Sequence, residues 1–222
     1  ARIVQQIYSK DIDVYNKVGK AQQPLWKILA AKEKWELLKA VFAKMGGVDK
    51  ADVNGDIPLY TLNLSEQDVS PEFQQLLLSY VTSEWLQENT VFIWQTVEHK
   101  NYSLWQKLVE IGFNPNLKNA SETSLVFYLL KNNYPSEWLE ELEKLQPDLN
   151  AADNNGQTPL GFAIKENNSE LVQNLLAHGA NVNDEKQKYL LMLNSNQSKI
   201  TSILLQSGAD VEKLRPDNGT LL

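Results

Sequence analysis

The clearest pattern of apolar and polar positions lies between residues 153 and 183. Four apolar residues there have the three- and four-residue spacing of one buried helix face: Leu171, Val172, Leu175 and Leu176. Thr158 and Pro159 suit the start of a preceding helix, because Thr caps an N-terminus and Pro fits the first turn. Gly179 suits a left-handed helix end. The segment therefore predicts two short helices that follow a polar turn.

The same arrangement recurs along the chain. The position of this proline recurs every 33 to 35 residues, at Pro24, Pro58, Val91, Ser124 and Pro159. The end of the second helix recurs at Gly112, Gln146, Gly179 and Gly208. The last of these steps is only 29 residues long. This predicts that the polar turn before the next first helix, which we call the finger, is shortened at Asp184–Lys188.

Residues 153–183 resemble the ankyrin repeat, whose period is about 33 residues. The resemblance rests on Thr158-Pro159-Leu160, on the pair Leu175-Leu176, and on Gly179-Ala180-Asn181-Val182-Asn183. It implies an all-α fold, an ankyrin-repeat solenoid of about six stacked helix-turn-helix repeats with β-turn fingers. One such repeat cannot bury its apolar faces alone, so neighbouring repeats must stack.

The absence of a Pro/Gly/Ser-rich linker predicts one domain over residues 1–222. Its predicted parts are a partial repeat at 1–19, repeats at about 20–50, 51–84, 85–117, 118–151, 152–184 and 185–213, and the start of a further repeat at 214–222. The start at Ala1 indicates a processed chain or a fragment. The end inside a repeat signature indicates either that the natural protein continues or that its last repeat is degenerate.

Composition and charge exclude several classes of function. The net charge of -7 argues against nonspecific binding to nucleic acid or anionic membranes. With no cysteine the chain has no disulfide and no thiolate metal ligand, and no apolar run is long enough to span a membrane. Its two histidines, His99 and His178, are far apart and form no recognisable zinc site or catalytic triad. We therefore expect a cytoplasmic monomer without catalytic activity, metal or cofactor.

In ankyrin-repeat proteins, partners lie in a concave groove of first helices and finger tips. The resemblance implies that the residue two places after the Thr-Pro-Leu leucine points into this groove. The corresponding positions here are Lys27, Thr61, Trp94, Phe127, Phe162 and Leu191. Neighbouring groove positions are Val97, Leu130 and Lys165, and the finger tips are Asn54, Asp56, Asn119, Glu122, Asn155 and Gln157. The tips have a simpler interpretation as ordinary turn residues.

Trp94, Phe127 and Phe162 form an aromatic column in this assignment, and exposed aromatics are typical of binding surfaces. Aromatics at helical spacing are more often core residues. A one-residue slip in the alignment would return Trp94 or Phe127 to the core. Both interpretations are open from the sequence.

The sequence favours a protein-interaction module that binds a protein or peptide. Its Asn/Gln/Lys-rich composition resembles that of ankyrin effectors that bacteria deliver into host cells. This resemblance would make the partner a host protein. The alternative is a targeting module of a larger enzyme, such as a methyltransferase, whose catalytic domain lies outside this chain. A catalytic array is a weaker third possibility, because no nucleophile–base pair or metal cluster is visible.

Overall fold

The computed structural model describes residues 17–18, 23–52, 56–63, 70–183 and 198–210. The chain divides into two compact units, residues 1–113 and residues 114–222. The single domain over residues 1–222 stays a prediction. Several predicted features lie outside the described residues, namely Leu191, Asn54, the shortened finger Asp184–Lys188 and the start of a further repeat at 214–222.

The first unit is built from short helices in consecutive pairs, after a two-residue antiparallel pairing of β1 (Lys17–Val18) with β2 (Gln23–Pro24). Its helices are α1 (Leu25–Ala31), α2 (Trp35–Met45), a 3-10 helix (Pro58–Asn63), α3 (Pro71–Leu78), α4 (Ser83–Glu88), α5 (Thr90–Glu98) and α6 (Tyr102–Ile111). Large apolar side chains fill its interior, among them Trp26, Phe42, Leu77, Phe92 and Trp105.

Two elements of the first unit depart from a regular repeat. The first helix of the second repeat is the 3-10 helix Pro58–Asn63. Helix α4 occupies the place where the spacing predicts the finger of the third repeat. Thr82 caps α4 by accepting a hydrogen bond from the backbone N–H of Trp85, and Leu86 is buried. Residues 82–89 contain no glycine that could form the tight turn of a regular finger. They contain the Thr82 cap instead, which favours the helix α4.

The second unit repeats the helix pairs more regularly. Its helices are α7 (Leu125–Lys131), α8 (Ser136–Glu143), α9 (Pro159–Lys165), α10 (Ser169–Ala177) and α11 (Ser198–Gln206). The side chains of Ser124 and Thr158 cap α7 and α9, as proposed for Thr158 from the sequence. Within each pair the apolar faces meet, and α7 packs beside α9. The all-α prediction is confirmed.

A ladder of asparagine side chains links successive turns in the second unit. The Oδ1 atoms of Asn116 and Asn150 each accept a hydrogen bond of 2.7 Å, from the backbone N–H of Asp148 and Asn181 respectively. Asn183 accepts one of 2.8 Å from the N–H of Asp210. Each bond spans from one repeat to the next. These bonds stabilise the contact between neighbouring repeats in addition to the apolar core.

Replacing Asn150 by Ala should lower the free energy of unfolding by about 1 kcal/mol, because the N–H of Asn181 loses its partner. Urea unfolding of both proteins measures this difference. Asn155→Ala is the matched control, since Asn155 is exposed at a finger tip. Equal losses in the two variants would contradict a role for the ladder.

Candidate protein-binding face

The turn that ends each first helix sets the register of the repeats. Glu33, Lys100, Asn133 and Asn167 each have a φ between 52° and 55°, in the left-handed region that non-glycine residues seldom adopt. Each lies two residues after the end of a first helix, α1, α5, α7 or α9. Counting back from these residues therefore shows which side chains occupy equivalent positions.

This register corrects the aromatic column. Phe127 lies six residues before its left-handed residue, and Phe162 lies only five before its own. Phe162 is therefore equivalent to Tyr128, whereas Trp94 and Phe127 are equivalent to Gly161. The one-residue error in the column comes from matching Ser124 with Pro159. Ser124 is the N-cap of α7, so its counterpart is Thr158, the N-cap of α9.

Burial agrees with the corrected register. Phe127 and Val97 are 0% exposed, so the prediction that they point into an open groove is wrong for both. Trp94, Leu130 and Phe162 are partly buried, and Lys165 is exposed. The position of Phe162 is partly buried in each first helix that has such a left-handed residue, where it is occupied by Ile28, Gln95, Tyr128 and Phe162.

We define the first-helix face as Tyr128 and Lys131 of α7 together with Phe162 and Lys165 of α9. Each helix presents an aromatic residue and, three residues later, a lysine. Buried Phe127 supports this face from below. Its ring meets that of Phe162 edge-on, with the two centroids 5.7 Å apart.

An ion pair fixes Lys131 to the finger of the next repeat. Its Nζ lies 2.7 Å from Oδ2 of Asp153 and 4.2 Å from the centre of the Phe127 ring. The side chain of Asp153 is only 4% exposed. Burial by itself would raise the pKa of Asp153. The bond from Lys131, with bonds from the backbone N–H groups of Gln157 and Asn155, outweighs that effect and lowers the pKa below its ordinary value.

The finger residues of the second unit mostly serve the turns. Oδ1 of Asn119 accepts hydrogen bonds from the backbone N–H groups of Ser121 and Thr123. Glu122 has a φ of 56° and pairs with Lys118 at 3.4 Å. Gln157 donates its backbone N–H to Asp153, and Asn155 is exposed. Of these predicted tips, Asn155 and Glu122 are the exposed ones.

The first unit contains the remaining predicted positions. Lys27 is half-buried and forms an ion pair of 2.6 Å with Asp56. The hydroxyl of Thr61 donates to the carbonyl of Pro58 at 2.7 Å, within the 3-10 helix. Next to Lys27, the indole N–H of Trp26 donates to buried Asp52 at 2.7 Å. These contacts link a first helix to the following finger, as Lys131 and Asp153 do in the second unit.

Within the part of the chain that the structure describes, no group of three or more His, Cys, Asp or Glu side chains is placed to bind a metal ion. Over the same residues, no helix is both long enough and apolar enough to cross a membrane.

Comparison with known protein families identifies the repeat. A family model described as "Ankyrin repeats (3 copies)" matches residues 93–186 and 118–215, which together span more than half of the chain. The chain belongs to the ankyrin-repeat family. Its structure is similar to an ankyrin repeat domain from Acinetobacter baumannii AYE, with 20% identity, a TM-score of 0.42 and coverage of 87% of this chain and 85% of that one. No curated protein matches significantly.

The sequence analysis missed Tyr128 and Lys131, which belong to the first-helix face, and Asp153, which binds Lys131. The available signal was the similarity between FYLLK at residues 127–131 and GFAIK at residues 161–165. Matching their lysines, instead of matching Ser124 with Pro159, aligns Tyr128 with Phe162 and Lys131 with Lys165. The ion pair between Lys131 and Asp153 had no sequence signal of its own, because it joins residues 22 positions apart.

Lys131→Met keeps an apolar stem against Phe127 but leaves the Asp153 carboxylate buried without its cation. We expect a loss of about 1–2 kcal/mol in the free energy of unfolding at pH 7. Because the folded-state pKa of Asp153 is lowered, its stabilisation is present above the ordinary value of 3.8 and is lost as the pH falls through the folded value. The deficit should therefore shrink as the pH falls below 3.8.

Urea unfolding at pH 7 and pH 3 measures this deficit. The control is Lys118→Met, which removes the exposed pair with Glu122 and should change stability little. A Lys131→Met deficit that is the same at both pH values would contradict the assignment.

Proposed function

We propose that this protein binds a protein partner through the first helices and finger tips of its repeats, with the first-helix face of Tyr128, Lys131, Phe162 and Lys165 as a principal contact. Ankyrin repeats are generally protein–protein interaction modules and are typically non-catalytic. The proposal keeps Trp94, Lys27, Thr61, Leu130, Leu191 and the exposed finger tips as further candidate contacts.

One observation carries the proposal. The position of Tyr128 and Phe162 is partly buried on each first helix that a left-handed residue follows, although the next residue in each, such as Leu129 and Ala163, is buried. Aromatic residues at such positions offer large contact area at little entropic cost, as is typical of binding hot spots. Phe127 supports Phe162 from below, so the surface is preformed and needs little rearrangement to bind.

The identity of the partner is a separate hypothesis. The Asn/Gln/Lys-rich sequence supports a bacterial effector that recognises a host protein. The alternative, a targeting module attached to an enzyme such as a methyltransferase, uses the same surface and differs only in what the rest of the protein does. The length of the full gene product distinguishes the two, because the targeting hypothesis requires a catalytic domain beyond this chain.

The double variant Tyr128→Ala/Phe162→Ala should lose partner proteins that the unaltered chain captures, with at least about a tenfold drop in affinity. Affinity purification with mass spectrometry gives the set of partners. Hydrogen exchange of the complex should show protection at α7 and α9. Tyr80→Ala is the control, since Tyr80 is an exposed aromatic outside the first helices.

Circular dichroism verifies that the double variant stays folded. Capture that is unaffected by the double variant, or protection confined to second helices, would refute binding through this face.

A further inference from the structure

Charge is segregated within two helix pairs of the second unit, α7 with α8 and α9 with α10. Helices α7 and α9 contain no acidic residue, and each ends in a lysine. Helix α8 carries four glutamates and α10 carries one, and neither contains a basic residue. The acidic side chains of these two helix pairs thus lie on α8 and α10 and not on α7 or α9, whereas the last second helix, α11, contains Lys199 and no acidic residue.

The two lysines of the first-helix face differ in availability. Lys131 is bound to Asp153 and lies over the Phe127 ring, so its charge is largely neutralised within the protein. Lys165 is exposed and forms no ion pair among the described residues. Phe162 lies one helical turn before Lys165, and side chains three residues apart on a helix are neighbours. The face therefore offers a partly exposed ring beside an available cation.

Helices α8 and α10 present the opposite chemistry. One carboxylate oxygen of Glu143 lies 3.1 Å from Nε2 of His178, and the other is buried without a hydrogen-bond partner. Burial raises the pKa of Glu143, His178 opposes that rise, and nearby Glu140 adds to it. An acidic segment that approached this side would meet like charges, which disfavours docking there.

We infer that the first-helix face takes an acidic, apolar segment of the partner protein. An apolar side chain of that segment packs against Phe162 and Tyr128, and a carboxylate pairs with Lys165. This inference rests on the proposed function and adds the chemistry of the partner to it. A basic segment would find no unpaired carboxylate on α7 or α9, because these helices have none.

The test uses the whole chain and a displayed library of random peptides as the probe. Peptides selected on the unaltered protein are sequenced and their affinities measured for three variants: Lys165→Glu, the double variant Tyr128→Ala/Phe162→Ala, and Lys199→Glu. The last is a matched control, because it makes the same charge change at an exposed lysine on the second helix α11.

We expect enrichment of peptides that combine Asp or Glu with aromatic or aliphatic residues. Their affinity should fall at least about tenfold in Lys165→Glu and in the double variant and change little in Lys199→Glu, and added salt should weaken it. Peptides that depend on Tyr128 and Phe162 but are neutral or basic, or that tolerate Lys165→Glu, would overturn the acidic partner and leave the proposed function intact. Peptides insensitive to every first-helix variant would overturn both.

Discussion

The turn after each first helix is the constraint on which the first-helix face depends. A first helix of seven residues, as in α7 and α9, has only two turns in which to place its side chains. The left-handed residue that follows fixes where the chain reverses. Because 3.6 residues make one turn, moving the register by one residue rotates a side chain by about 100°. Phe127 is buried and Tyr128 is partly exposed for this reason.

The repeat architecture was predictable because it depends on features that are local in the sequence. The helix-start signature at Thr158, the apolar spacing of α10 and the period of about 33 residues need no long-range information. The groove assignment was less predictable. A Pro at 159 and a Ser at 124 both mark the beginning of a helix, but one is its first residue and the other its N-cap. The pattern of starts alone therefore permitted the one-residue error.

Contacts between repeats were not predictable, because nothing local distinguishes a bonding side chain from a solvated one. Asn116 and Asn150 suit a turn equally well whether or not the next repeat donates an N–H to them. Asp153 likewise is of a residue type that is common in turns, yet its side chain is buried and bound to Lys131. In both cases the sequence indicates the turn, and only the neighbouring repeat determines what the side chain does.

The ion pair between Lys131 and Asp153 also distinguishes two otherwise similar first helices, α7 and α9. Lys131 serves the contact between two repeats, so its charge contributes little to a partner. Lys165 has the equivalent position on α9, but it is exposed and forms no ion pair with any acidic residue that the structure describes. A repeat protein can therefore vary its specificity by changing which of its equivalent side chains are used internally. Such a change alters the binding surface without altering the fold, because the buried apolar residues of each helix stay the same.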